Sequence, residues 1–448
     1  MTRPVQESAA SAVVLSHSTM VPSLSGRSQA MLAWRMEDTG RIIKAIITGR
    51  VGRDGDSLPQ LDPCSCSLHP SVGAHPLGVA GAASCLAWDQ LSIAAWIPTV
   101  LLSPADYKPQ SRLGAPPELP AYVLFLCFRH ADHCCDEPRA RSLLDAAIDA
   151  IKRVMKKHSD DFNTVALWLA NTCRLLNCLR QYGQDEGNTA QQNEHRLRNV
   201  DPQSSCHSLG ALAVQLYQQL IRTAEKRLRP MIVAAMLESE PIQGLSSSCP
   251  PGRRRSSTAP AHTLPELLQQ LGSFCAAMDH HGLAPSVGHQ ALRQLLFLVT
   301  GTTLNYLLLR KDTCCWSRGI QLRYNISQLE QWLRAEGLHQ SGAWEMLEPL
   351  VQAAQLLQVK KVTEEDAGAL CSLCTALSPQ QVVKILRAYT PGTWALVQLQ
   401  DRYGEGSGQL LVDTSHLFPV HLPFSASPLH LDELCIPDGL DLAFLVRL

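Results

Sequence analysis

The sequence predicts an all-α fold of two packed helical bundles, followed by an extended C-terminal segment that folds back. Three observations predict it. Apolar residues recur at helical spacing through most of the chain after Glu118. Paired capping residues mark helix starts in the second half. The stretch after Gly404, with Pro419 and Pro423, has no helical period. A chain of 448 residues with 45% hydrophobic residues is also long enough for a large core.

Charge and composition exclude several functions. The chain has 39 Lys and Arg against 40 Asp and Glu, a net charge of −1. General nucleic-acid binding needs a basic excess, so we expect no nucleic-acid partner. The apolar run 91–102 is shorter than the roughly 20 residues of a membrane span. No signal-peptide core occurs in residues 1–28, so we expect a cytoplasmic protein whose 16 cysteines are mostly reduced.

Three segments precede the main fold. Residues 1–28 are rich in Ser and Ala and are expected to be a disordered leader. Apolar positions in 29–50 predict a helix that leads into the domain. Residues 51–117 combine many Pro and Gly residues and keep neither a helical nor a strand period. We interpret them as an irregular insert.

The first helical subdomain is predicted at residues 118–240. Its first predicted helix, which includes residues 144–155, has apolar and charged residues on opposite faces. Asp161 to Tyr182 is predicted as a second helix, and Ser208 to Glu238 as a third, which Pro230 should kink or end. The apolar positions of the first of these helices are Leu144, Ile148, Ile151 and Met155.

A basic loop and a second subdomain follow. Residues 241–262 are rich in Ser and Pro and contain three arginines before Ser256 and Ser257. This run is compatible with a solvated linker or with a phosphorylation site at these two serines. The second subdomain is predicted at 263–403 and the extended segment at 404–448. Four residue pairs match the capping box that opens a helix, namely Thr263 with Glu266, Ser327 with Glu330, Ser378 with Gln381, and Thr363 with Asp366.

Motifs for chemistry are scarce. The sequence has no Gly-Lys dipeptide and therefore no P-loop, and it has neither a nucleophile elbow nor a dinucleotide fingerprint. We expect no catalytic residue, no metal and no cofactor. The strongest contrary cluster is His130, His133, Cys134 and Cys135, which we interpret as a helix end with buried thiols. Cys371 and Cys374, and the pair His280 and His281, are interpreted as structural.

Several stretches resemble a known family. They are 120–125 (PAYVLF), 167–172 (LWLANT), 304–312 (LNYLLLRKD), 323–333 (RYNISQLEQWL) and 348–361 (EPLVQAAQLLQVKK). In this order they resemble the globular tail, or dilute domain, of class V unconventional myosins. The wording LHQSG at 338–342 is most similar to the myosin-Vb branch. The sequence contains no recognisable motor, IQ neck or coiled coil.

The resemblance implies a non-enzymatic cargo-binding module for actin-based transport. It implies a Rab small GTPase of recycling endosomes and cargo adaptor proteins as partners, and a location in the cytoplasm or on vesicles. Tyr324 and Gln358 match the family's Rab contacts. Lys311 and Lys384 match contacts to the motor head, which adds a class V myosin heavy chain as a partner.

The sequence is also compatible with other interpretations of these residues and of the whole chain. Each of these four residues is also compatible with a plain structural role. The chain is also compatible with a regulator or competitor that binds a myosin motor head or its cargo receptors, or with a thiol or metal enzyme built on the cluster around Cys134. A last alternative is a poorly stable product of a decayed gene copy, because residues 392–408 are shorter than the matching region of the family.

Overall fold

A computed structural model describes residues 34–36, 116–183, 196–238, 262–310, 313–358, 374–389, 409–429, 431, 434 and 445–447. Within these ranges the chain forms nine α-helices and one short pair of strands. The all-α fold class is therefore confirmed.

The helices are named in chain order. Those of the first half are α1 (Leu119–His133), α2 (Glu137–Lys157), α3 (Phe162–Gln181) and α4 (Gln203–Val233), which a π-helical turn continues (Ala234–Glu238). Those of the second half are α5 (Leu264–His280), α6 (Pro285–Leu309), α7 (Trp316–Ala335), α8 (Glu348–Gln358) and α9 (Pro379–Tyr389). Two 3₁₀ turns lie between α7 and α8, at His339–Ser341 and Trp344–Leu347.

Helix α2 shows how sequence pattern becomes packing. Its four predicted apolar positions are all buried, whereas Asp145, Asp149, Lys152 and Lys156 are exposed. The Asp136 side chain accepts a hydrogen bond from the backbone N–H of Arg139 at 3.0 Å and caps the first turn. Such a cap contributes about 1 kcal/mol.

Two predicted capping boxes are confirmed. The Thr263 hydroxyl accepts from the N–H of Glu266 at 3.4 Å, and the Glu266 carboxylate accepts from the N–H of Thr263 at 3.1 Å. Ser378 and Gln381 make the same reciprocal pair at 3.2 and 2.9 Å. The predicted box at Ser327 and Glu330 is wrong because both lie inside α7. The fourth pair lies outside the described residues.

Pro230 does not end its helix. Helix α4 continues through it to Val233, and the π-helical turn follows. A proline inside a helix removes one backbone donor and crowds the carbonyl four residues earlier. Leu228 and Ile232 on either side are fully buried, so tertiary packing holds the helix across the proline.

One continuous core joins the two predicted subdomains. Helix α4 packs against both α3 and α6, and α5 packs against α3. At this junction the rings of Phe162 and Phe274 lie 4.5 Å apart. Helix α6 is the one described helix that is long and apolar enough to cross a membrane, but 67% of that stretch is buried inside the fold. It serves here as the central core helix.

The chain returns across the helices as an extended strap, residues 409–429, as the sequence predicts. Side-chain amides along α6 hold its backbone. Asn305 donates to the carbonyl of Val412 and accepts from its N–H, both at 2.8 Å. Gln294 donates to the carbonyl of His416 at 2.8 Å and accepts from the N–H of Phe418 at 2.9 Å.

The predicted helix over 29–50 is wrong where the structure describes it. Trp34–Met36 forms strand β1, which pairs antiparallel with β2 at Leu445–Arg447. The backbone N–H and C=O groups of β1 find their partners in this distant segment of the chain. A local apolar pattern cannot indicate such a distant partner. The predicted leader 1–28 and most of the insert 51–117 lie outside the described residues.

Candidate docking surface

Helix α7 presents an apolar stripe to solvent, which we define as Trp316, Ile320 and Tyr324. The three residues follow a spacing of four, so they share one face of the helix. Trp316 is 44% exposed, Tyr324 is 50% exposed and Ile320 is half-buried. The opposite face is buried through Leu322, Ile326, Leu329 and Leu333. The stripe is therefore an outward surface of an otherwise packed helix.

The inner side of α7 is fixed by a buried amide. Asn325 is 1% exposed, and its Nδ2 donates to the carbonyls of Ala235 and Met236 at 3.3 and 3.0 Å. These carbonyls belong to the π-helical turn after α4. The hydrogen bonds join the second half of the molecule to the first and set the rotation of α7.

Close contact with α8 fixes the helix from another side. A Cβ atom at Gly319 would lie 2.7 Å from the Cβ of Leu357 and 3.2 Å from the carbonyl oxygen of Ala354. Only a glycine permits this approach of the two backbones. The stripe thus lies on a rigid pair of helices.

Gln358 supports this pair of helices. Its Nε2 donates to the carbonyls of Gly319 and Ala354, each at 3.1 Å. The positions of Gly319 and Tyr324 on α7 lie about 140° apart around the helix axis, because an α-helix has 3.6 residues per turn. The two residues predicted for Rab binding therefore belong to the same helix pair. Tyr324 is exposed, and the amide of Gln358 is engaged with backbone.

The other predicted site residues lie elsewhere. Lys384 is half-buried on α9, beside the buried residues Val382 and Ile385. Lys311, Ser256 and Ser257 lie outside the described residues.

The cluster at the end of α1 differs from the prediction. Cys134 and Cys135 are exposed, so the expectation of buried thiols is wrong for both. They directly follow His133, the last residue of α1, and both are exposed to solvent there. The His130 Nε2 lies 3.7 Å from the Cys134 Sγ. Among the residues that the structure describes, no group of three or more His, Cys, Asp or Glu could hold a metal.

Two further residues that the sequence singled out, His281 and Cys374, are buried. His281 is buried, and desolvation, with a smaller contribution from His280, lowers its pKa to about 4. Cys374 forms no disulfide, and Cys371 lies outside the described part of the chain. Cys315 is disulfide-bonded, an exception to the expected reduced thiols.

Sequence reasoning missed Trp316 and Ile320 as surface residues. The signal was present, since both follow the helical period of Tyr324 on the face opposite Leu322 and Ile326. It required knowing that 316–335 is one uninterrupted helix, which the wrong helix start at Ser327 concealed.

Known proteins are similar to this chain in sequence. Residues 290–393 match the DIL domain, a range that includes the α7 stripe. Unconventional myosin-Vb of Homo sapiens is 51% identical over 361 residues, which cover 76% of this chain and 19% of that protein. Unconventional myosin-Va of Gallus gallus is 49% identical over 349 residues, or 74% of this chain and 19% of that protein. This chain thus spans about a fifth of the length of these relatives.

Solved structures share the fold. The structure of Myo2-GTD in complex with Smy1 matches with a TM-score of 0.59 and 20% identity, covering 82% of this chain and 95% of that chain. The myosin V cargo binding domain matches with a TM-score of 0.55 and 21% identity, covering 76% and 90% of the two chains.

Proposed function

We propose that this chain, a relative of the class V myosin globular tail, is a non-enzymatic cargo-binding module. The observation that carries the proposal is the α7 stripe, which exposes Trp316 and Tyr324 on a helix whose other sides are fixed. Trp and Tyr are the residues most enriched among those that dominate binding energy at protein interfaces. A preorganised helix also avoids part of the entropy cost of association.

The partner class that fits this proposal best is a small GTPase of the Rab type on recycling endosomes. Tyr324 would contact the GTPase directly because half of its surface is available. Gln358 would act by holding α8 against Gly319 and so position the helix that carries Tyr324. The protein would then work in the cytoplasm, attached to vesicles through this partner, in actin-based transport.

Binding of purified Rab proteins to the immobilised full chain tests this proposal. We expect binding to GTP-loaded Rab and weaker binding to the GDP-loaded form. Tyr324→Ala should weaken the GTP-dependent binding about 30-fold, equivalent to about 2 kcal/mol. Gln331→Ala, an exposed change on the same helix, is the matched control and should bind like the wild type. Equal binding to both nucleotide forms, or to none of the Rabs, would contradict the proposal.

Cargo adaptor proteins are the second partner class. The complexes of Myo2-GTD with Smy1 and with Inp2 have this fold and support the idea that it can present adaptor sites. We expect an adaptor to use a surface separate from the α7 stripe. Competition between an adaptor and a Rab for the purified chain measures this directly, and mutual exclusion would contradict separate sites.

A second candidate function is binding to a class V myosin motor head. The outer face of α9 favours it, because this face carries two basic residues. They are the half-buried Lys384 and the exposed Arg387, one turn later. The double variant Lys311→Glu with Lys384→Glu should abolish the inhibition of a motor ATPase by the added chain. Unchanged inhibition in that double variant would exclude this role for the two lysines.

A further inference from the structure

The accessible thiols are concentrated at one turn. Nine cysteines in the described ranges form no disulfide; Cys134 and Cys135 are exposed, and the others are buried or half-buried. Burial raises the pKa of Cys127, Cys173 and Cys178 to about 12. The reactive species is the thiolate, so these buried thiols are poor nucleophiles. Cys134 and Cys135 are therefore the most accessible thiols in the described fold.

Cys134 has a basic partner at hydrogen-bonding distance. It follows the last residue of α1, and its N–H donates to the carbonyl of His130 at 3.0 Å. This keeps the two side chains one turn apart on the same face, with the imidazole Nε2 at 3.7 Å from the sulfur. The carboxyl end of a helix disfavours a free thiolate. The imidazole is thus the group placed to take the thiol proton.

Cys135 occupies a rigid position. Its φ of 55° is left-handed, where glycine is the usual residue. The N–H of Cys135 donates to the carbonyl of Asp132, and the N–H of Asp136 donates to that of Ala131, both at 3.0 Å. These two hydrogen bonds form the Schellman turn that ends a helix. The turn is also tied to the core, because the buried Asp132 carboxylate accepts from the N–H groups of 198–200.

We propose that Cys134, assisted by His130, is a redox modification site that hydrogen peroxide and glutathione convert to a mixed disulfide. The Cys134 thiol gives its proton to the His130 Nε2, and the sulfur attacks one peroxide oxygen. The S–O bond forms as the O–O bond breaks, and hydroxide leaves and is protonated to water. The glutathione thiolate then attacks the sulfenic sulfur and releases a second water. Sulfur is oxidised by two electrons and peroxide is reduced by two.

Cys135 does not compete as an internal partner for Cys134. Adjacent Cα atoms are about 3.8 Å apart across a trans peptide, whereas disulfides usually need about 4.4 Å or more. The Schellman turn resists the backbone change that a direct disulfide between the two would require. An external thiol meets no such restriction at an exposed sulfur. This site is independent of the docking function proposed above.

Timed peptide mapping of the full, reduced chain tests the assignment. The protein is treated with hydrogen peroxide and excess glutathione and quenched with an alkylating agent. We expect Cys134 to gain glutathione at least about tenfold faster than Cys127 or Cys173, since both are buried. Cys134→Ser should abolish the modification of this peptide. Cys135→Ser should leave it unchanged.

Two histidine variants isolate the role of His130. His130→Gln keeps a polar side chain without a basic nitrogen and should slow the reaction of Cys134 at least about threefold. His133→Gln, on the same turn and exposed, is the matched control and should react like the wild type. Circular dichroism confirms that each variant is folded. Modification of Cys135 alone, a direct disulfide between the two cysteines, or a rate at Cys134 no higher than at Cys173 would overturn the proposal.

Discussion

At the scale of single residues, the backbone conformation of Cys135 has a measurable cost. A non-glycine residue at φ 55° is strained by roughly 1 kcal/mol. Cys135→Gly should therefore raise the free energy of unfolding by about 0.5–1 kcal/mol, measured by urea denaturation. Cys134→Ala is the control, since its φ of −78° is ordinary. A lower stability of the glycine variant would show that the Cys135 side chain makes contacts that outweigh the strain.

His281 gives the fold a dependence on pH. Desolvation lowers its pKa from 6.5 to about 4. Between these values the unfolded chain binds a proton that the folded chain does not. Stability contributed by neutral His281 is thus fully present above pH 6.5 and is lost as the pH falls toward 4, by up to about 3 kcal/mol.

A titration of stability against pH checks this expectation. His281→Asn removes the ionisable group and should flatten the decline in unfolding free energy between pH 6.5 and 4. His280→Asn, next to it and less buried, should leave most of the decline in place. Identical slopes for His281→Asn and the wild type would mean that other groups cause the decline.

At the scale of elements, the close contact of α7 and α8 depends on one glycine. Gly319→Ala would place a Cβ 2.7 Å from that of Leu357 and should destabilise the protein by about 1–3 kcal/mol. Gly288→Ala in α6 meets nothing within 4 Å and should instead stabilise by roughly 0.5–1 kcal/mol. Thermal unfolding of the two variants compares them. Equal effects would refute the account of a rigid helix pair.

The strap is held by side-chain amides, so its docking is also testable. Gln294→Ala removes the hydrogen bonds to His416 and Phe418 and should cost about 2 kcal/mol, at about 1 kcal/mol each. Hydrogen exchange at Phe418 should accelerate strongly, whereas exchange within α2 should not change. Unchanged exchange at Phe418 would indicate that apolar contacts alone hold the strap.

Helix identity could be predicted from the sequence where local signals agree. The faces of α2 and the caps at Thr263 and Ser378 are local, and the structure confirms them. The cap at Ser327 fails because the same residue types also occur inside helices, and the preceding residues decide between the two. Pro230 and strand β1 depend on distant packing and pairing, which local pattern does not contain.

At the scale of the whole molecule, both halves share one core, and the position of the α7 stripe depends on both. Asn325 ties α7 to the turn after α4, so the stripe is oriented by the first half of the chain. The resemblance to the class V myosin tail is the only sequence signal for Tyr324, whose binding role stays a prediction. It did not reveal that Gln358 is engaged with backbone, because exposure and hydrogen bonding follow from tertiary packing.

The most direct test of the docking account is hydrogen exchange of the full chain with and without a GTP-loaded Rab that binds it. We expect slower exchange across residues 316–324 of α7 in the complex, and little change in the strap. Slower exchange confined to other helices, with α7 unaffected, would contradict the assignment of the stripe as the docking surface.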